Sequence, residues 1–200
     1  MKSMKVIGAL VVLVVVGGAA LYWYQLQQQQ AVWRDAKEVV DESFSKDGGV
    51  ANIKYVAIID APIEKVQDAV WAVEKSSEMV ANIKKSELIK AEGNQKTVLM
   101  QLQALNLPLQ QYTMQFTLDP PTHRVTFKTL QSQAADLEGA YVLEPSPDGK
   151  RTKLTYEVKS TDKIAVPFPA SLIESANRET FVNTVRGVNK VVGAPAPPAG

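Results

Sequence analysis

Residues 111–129 read QYTMQFTLDPPTHRVTFKT, two alternating runs with a proline break between them. In the first run Tyr112, Met114 and Phe116 alternate with Gln111, Thr113, Gln115 and Thr117; in the second Val125 and Phe127 alternate with polar neighbours ending at Lys128. Period two is the pattern of a strand with one buried and one solvated face, and Asp119-Pro120-Pro121 supplies turn chemistry. The stretch predicts an antiparallel hairpin.

The same pattern continues on both sides. Ser86–Ala91 and Lys96–Leu105 precede the hairpin, Leu137–Leu143 and Lys153–Lys159 follow it, and Glu92-Gly93-Asn94 and Pro147-Asp148-Gly149 separate the runs as turns. Ahead of these, Ala51–Asp60 alternates through Ile53, Tyr55, Ala57 and Ile59. Ala61-Pro62 then opens a helical stretch with Val66, Ala69, Val70 and Val73 at helical spacing, and a second short helix is expected from Ser76 to about Asn82. Pro169 starts a run to Val192 in which Ile173, Ala176, Val185, Val188 and Val192 keep mostly three- and four-residue spacing, with Phe181 beside the stripe. Arg178, Glu179, Asn183, Arg186 and Lys190 lie largely opposite, and Gly193 stops the helix. The order is strand, two short helices, six antiparallel strands, long helix. A seven-stranded antiparallel sheet with one apolar face must cover that face, and the last helix is the element long enough to do so. The expected fold is α+β, a curved sheet wrapped around a long C-terminal helix.

That element order, with Ala61-Pro-Ile-Glu-Lys-Val66, Tyr112-Thr-Met-Gln-Phe116, Asp119-Pro-Pro-Thr-His-Arg-Val125, Asp136-Leu-Glu-Gly-Ala-Tyr141 and Leu143-Glu-Pro145 followed by Gly149, resembles the SRPBCC superfamily. These are START-like helix-grip proteins of the polyketide cyclase/dehydrase and lipid transport type, similar also to coenzyme-Q-binding proteins. The resemblance covers about residues 50–192, rests on turn and strand positions rather than catalytic signatures, and makes Gly139 a strand bend. It implies an apolar cavity between sheet and long helix that holds a lipid, isoprenoid or polyketide-like molecule. Members include carriers, cyclases and binders, so the fold does not decide the function. The side chains expected to line the cavity are Trp71, Met79, Met100, Tyr112, Met114, Phe116, Phe127, Tyr141, Tyr156, Ile173, Phe181 and Val185. An ordinary closed core would use the same residues. Methionine adaptability and three inward tyrosine hydroxyls favour a cavity.

Composition narrows the chemistry. There is no cysteine and one histidine, so thiol catalysis, disulfides and multi-histidine metal sites are excluded. Lys2 and Lys5 apart, 20 bases face 21 acids, which gives no electrostatic case for nucleic acid. His123 sits in a turn and is expected to face solvent; Glu138 and Glu144 fall on the polar phase of one strand; Asp60 and Asp136 are turn residues; Lys84-Lys85 is a surface pair. Asp47-Gly48-Gly49 lacks the lysine of a phosphate loop, and neither a cofactor nor a metal nor a catalytic residue is expected. A cyclase- or isomerase-type enzyme and an interaction protein with a closed cavity are the alternatives to a carrier.

The termini carry a separate message. Val6–Tyr24 is free of charge, follows two lysines and ends in Tyr22-Trp23-Tyr24, which predicts a single membrane span with the body of the chain outside the cytoplasm, periplasmic or extracellular. A cleaved signal peptide, with Gly18-Ala19-Ala20 as the processing site, is the alternative. The expected organisation is an anchor and polar stalk over 1–30, a helical linker over 31–49, the domain over 50–192 and a disordered proline-rich tail over 193–200. The expected partners are the hydrophobic ligand and the membrane.

Overall fold

A computed structural model describes residues 33, 36–105, 107–164 and 168–194. The elements are β1 (Lys37–Asp47), β2 (Val50–Ile59), α1 (Ile63–Trp71), a 3₁₀ turn (Val73–Lys75), α2 (Ser76–Met79), β3 (Ile83–Glu92), β4 (Gln95–Leu102), β5 (Gln110–Asp119), a 3₁₀ turn (Pro120–Thr122), β6 (Arg124–Ser132), β7 (Ala135–Pro145), β8 (Thr152–Asp162) and α3 (Ala170–Val192). All strand pairs are antiparallel, and the sheet order is β1-β2-β8-β7-β6-β5-β4-β3. The fold is α+β helix-grip, an eight-stranded curved sheet with a C-terminal helix.

The eighth strand corrects the expectation for residues 31–49. Lys37–Asp47 is not helical; it forms a hairpin with β2 across Gly48-Gly49, with Asp41 opposite Val56 and Asp47 opposite Val50. The physical reason lies in the sheet edge. Without β1 the backbone of β2 would be an open, pairing-competent edge. β1 is mostly polar because it is itself an edge, so only Val39 and Phe44 pack on the core and no clean alternation marks it. Two arginines on the outward side of α3 reach it: Arg186 grips Glu38 with two bonds of 2.6 and 3.0 Å, and Arg178 donates to Glu42 at 2.8 Å.

Elsewhere the alternation holds. On β5, Tyr112, Met114 and Phe116 are buried, and on β6 so are Val125 and Phe127. Thr155, polar within the alternation of β8, is 7% exposed because it sits between Val56 and Val142 in the middle of the sheet. Pro169 and Gly193 flank α3 as expected, the glycine taking φ of 72°. The helix packs Phe181, Val185 and Val188 into a core with Tyr55, Ile59, Val66, Val98, Val125 and Leu154.

Two glycines fix close approaches. A Cβ on Gly139 would lie 2.2 Å from the Glu157 carbonyl oxygen and 2.8 Å from Phe127 Cζ, so the bare backbone lets the Phe127 ring come close to β7. A Cβ on Gly187 would lie 2.4 Å from the Met79 carbonyl oxygen, so this position sets how near α3 approaches α2.

Among the described residues no helix is long and apolar enough to cross a membrane. The expected span Val6–Tyr24, the stalk and residues 195–200 of the tail lie outside the described residues.

Candidate ligand cavity

Between the inner face of the sheet and the helices lies a cavity of about 120 Å³. Its floor is Met100 and Leu102 of β4, Tyr112, Met114 and Phe116 of β5, Phe127 of β6, Leu137 and Tyr141 of β7, and Tyr156 of β8. Its walls are Ala69 and Val70 of α1, Val73, Ser76, Met79, Val80 and Ile83 across the following turns, and Thr180, Thr184 and Val188 of α3. The lining contains no Asp, Glu, Lys, Arg or His.

Eight of the twelve expected side chains meet there: Met79, Met100, Tyr112, Met114, Phe116, Phe127, Tyr141 and Tyr156. Four do not. Phe181 is 2% exposed and stacks on Tyr55 at 5.3 Å and Tyr156 at 6.1 Å, filling the core beside the cavity. Val185 is fully buried in that core. Ile173 is half-buried near the start of α3, outside both core and cavity. Trp71 sits at the end of α1 with the Lys96 ammonium 4.6 Å from its ring centre, and the same ammonium donates to the Trp71 carbonyl at 3.0 Å and to Glu74 at 2.7 Å.

The α3 positions that face the cavity are Thr180, Thr184 and Val188, a strict four-residue spacing. The apolar stripe read from the sequence does not include the two threonines. Their hydroxyls are spent inside the helix, Thr180 on the Ala176 carbonyl and Thr184 on the Thr180 carbonyl, both at 2.9 Å. Ser76 does the same to Val73 at 2.7 Å. Back-bonding of this kind lets hydroxyl residues wall an apolar space. The four-residue spacing was the signal available for finding them.

The tyrosines differ. Tyr55, in the core, donates to the Glu174 carbonyl at 3.3 Å, whereas the hydroxyls of Tyr112, Tyr141 and Tyr156 bond to no described residue. Their rings form one cluster with Phe127: Tyr141 lies 5.1 Å from Tyr156, and Phe127 lies 5.6 Å from Tyr141 and 5.8 Å from Tyr156. Burial pushes the Tyr141 phenol up to about 12 and the Tyr156 phenol well above its ordinary range; Tyr112 is raised by burial and then by the charge of Asp162. All three are therefore neutral donors near pH 7.

The remaining sequence candidates lie elsewhere. His123 is half-buried rather than fully solvated, its Nδ1 2.7 Å from Gln67 Oε1, which ties the turn to α1. Glu144 pairs with Lys153, Asp60 with Arg151 and Asp136 with Lys163, and Glu138 is exposed. Lys85 pairs with Glu87, while the Lys84 ammonium donates to the Ala81 carbonyl. Among the described residues no three His, Cys, Asp or Glu side chains are grouped to hold a metal ion.

Residues 59–188 match the profile of the family described as polyketide cyclase / dehydrase and lipid transport. None of the curated proteins matches the chain in sequence. Solved structures share its fold. The Zhui aromatase/cyclase of a Streptomyces species superposes with a TM-score of 0.57 at 17% identity, covering 72% of this chain and 92% of that one. A STAR-related lipid transfer protein from Xanthomonas axonopodis gives 0.56 at 14% identity over 76% and 98%. A START superfamily protein from Mycobacterium smegmatis gives 0.58 at 12% over 71% and 97%. At these identities the likeness shows the fold alone.

Proposed function

The chain belongs to the polyketide cyclase / dehydrase and lipid transport family, within the SRPBCC superfamily, and on that premise we propose that its cavity holds a hydrophobic small molecule, lipid, isoprenoid or polyketide-like, beside a membrane to which the N-terminus is anchored. The observation that carries the reading is the composition of the cavity wall, aliphatic, aromatic and methionine side chains with no ionisable group other than tyrosine. Pockets for small apolar ligands have this make-up. Met79, Met100 and Met114 supply side chains that re-pack around different shapes, which suits a space of about 120 Å³ that must widen for a long ligand. A cyclase or isomerase moving protons here would have to use phenols held above their ordinary range.

The membrane part of the reading is supported by the charge-free run Val6–Tyr24 behind two lysines. A second support is the placing of exposed apolar residues. Leu105, Leu109, Leu130 and Ile164 are all about half exposed or more, and they lie in or beside the connections after β4, β6 and β8, toward one end of the sheet.

The test is extraction of the purified full chain and mass spectrometry of the extract, compared with Ala69→Phe, which places a ring in the cavity wall. An apolar molecule near one equivalent is expected from the parent and should be depleted in the variant. Identical extracts from a parent and a folded variant would refute the proposal.

A further inference from the structure

The sheet ends at β3, and from Lys84 to Glu92 every residue of that strand except Ser86 is exposed. Among the described residues, none bonds to the backbone groups on the side of β3 away from β4, so this edge can accept a further strand. Ser86 holds the strand in place: its hydroxyl donates to the Glu74 carbonyl at 2.8 Å and accepts the Ser77 N–H at 3.0 Å. At the middle of the edge Leu88 and Ile89 are 43% and 57% exposed, an apolar pair at the surface.

Lysines and a bulge ordinarily guard such an edge against association, and β3 has both. Their arrangement here does the opposite. Ile89 is the bulge residue: Leu88 lies opposite Val98 and Lys90 opposite Thr97, which leaves Ile89 without a partner on β4. The extra residue shifts the alternation by one. Lys85, Glu87, Lys90 and Glu92 therefore stand opposite Gln101, Leu99, Thr97 and Gln95, the β4 residues that alternate with the inward Val98 and Met100. The four charges share the outer face, where Lys85 pairs with Glu87 at 2.6 Å and Lys90 with Glu92 at 2.8 Å.

The order of these residues is its own complement. In a second copy of 85–92 laid antiparallel against the first, with the two-fold axis between Leu88 and Ile89, Lys85 faces Glu92, Ser86 faces Ala91, Glu87 faces Lys90 and Leu88 faces Ile89, each pair twice. The faces match as well. An axis normal to the sheet sets outer face beside outer face, and an unbulged strand in this register would pair residues from opposite faces. A slip of two residues, the smallest that keeps the faces in step, sets Lys85 against Lys90 or Glu87 against Glu92. The charges favour one full-length register and oppose its neighbours.

We propose that two copies of the chain associate edge to edge through β3 in that register, joining their eight-stranded sheets across a two-fold axis. The proposal goes beyond the ligand reading and does not depend on it. One short ladder makes a small interface, so the dimer is weak and concentration-dependent. Ser86 ties the paired strand to the segment that carries Val73 and Met79 of the cavity wall.

Sedimentation of the full chain in excess detergent micelles, from roughly 1 to 200 μM, should show monomer giving way to dimer. Glu87→Lys places two like-charge pairs at the centre of the interface and should raise the dissociation constant roughly tenfold or more. Lys85→Glu/Glu87→Lys/Lys90→Glu/Glu92→Lys reverses every charge and keeps every pair, so it should dimerise with itself about as well as the parent does, yet not with the parent. The chain has no cysteine, which lets introduced ones report the register. Lys85→Cys/Glu92→Cys should form a disulfide-linked dimer under mild oxidation, and Lys85→Cys/Lys90→Cys, two residues out of step, should do so far more slowly. This readout stands even where a charge variant does not fold. A parent that stays monomeric at every concentration would overturn the proposal. So would a dimer that Glu87→Lys leaves as strong, as association through the N-terminal run would give, or equal cross-linking of the two cysteine variants.

Discussion

Phe181 and Met114 show how differently two large apolar residues on facing elements can be employed. Phe181 is clasped between Tyr55 and Tyr156, so Phe181→Ala removes a ring from a close-packed site and should cost the full core penalty, about 3–5 kcal/mol in urea unfolding. Met114 has the cavity on one side and fewer atoms to lose. Met114→Ala should fall at or below the lower end of the roughly 2–5 kcal/mol usual for such a truncation, while altering binding of a hydrophobic fluorescent probe. Equal losses for the two variants would contradict this difference in packing. The tyrosines supply a pH prediction. Tyrosine in an unfolded chain ionises near about pH 10. In the folded protein burial raises Tyr112, carries Tyr55 and Tyr141 to about 12, and takes Tyr156 well above its ordinary range. Above pH 10 the unfolded chain therefore binds fewer protons than the folded one. Stability contributed by these groups is present in full below pH 10 and should fall as pH rises from 10 toward 12. Chemical unfolding at successive alkaline pH values checks this, and Tyr141→Phe should flatten the fall.

At the scale of elements, the approach of α3 to α2 is set at Gly187, and the two helices form neighbouring parts of the cavity wall through Thr184, Val188 and Met79. Gly→Ala inside a helix ordinarily stabilises by about 0.5–1 kcal/mol. Here the added methyl would meet the Met79 backbone at 2.4 Å, so Gly187→Ala should lower the thermal midpoint and displace that wall. A raised midpoint would show that α2 yields without cost. On the other flank β1 is bound to α3 by Arg186–Glu38 and Arg178–Glu42 as well as by its ladder with β2. The arginines that the helical pattern assigned to a solvent face thus contact a strand that the same pattern did not reveal.

For the whole molecule, the proposed function joins two separate features, an apolar cavity in the domain and a charge-free N-terminal run, and the side of the membrane is what can be tested. Under that proposal, the two lysines ahead of the charge-free run Val6–Tyr24 are expected to keep the N-terminus in the cytoplasm. An alkaline phosphatase fused after Gly200 should be active, and a reporter that requires the cytoplasm should be silent at the same site. The reverse pattern would place the domain inside the cell and end the localisation proposal.

Most of the architecture was legible in the sequence because it is written locally. Whether a residue sits on a strand and which way it points follows from the alternation of its neighbours, and that reading located β2 to β8, α1 and α3. Pro169 and Gly193 fixed the length of α3 for the same reason, since they act on the backbone at their own positions. The pattern also picked out the floor of the cavity, because every inward residue in the middle of a sheet meets whatever lies above it. What the pattern does not contain is the identity of that neighbour. Phe181 and Thr180 are adjacent in sequence, yet one fills the core and the other faces the cavity. The difference comes from a rotation of α3 fixed by contacts far along the chain, Gly187 on Met79 and Asn82 Nδ2 on Thr180 Oγ1 at 2.6 Å. The strand β1 was hidden for a related reason, since an edge strand with polar neighbours acquires its conformation from the ladder it joins. The cavity itself belongs to the tertiary structure alone, because a void is the space that side chains from ten separate elements leave between them.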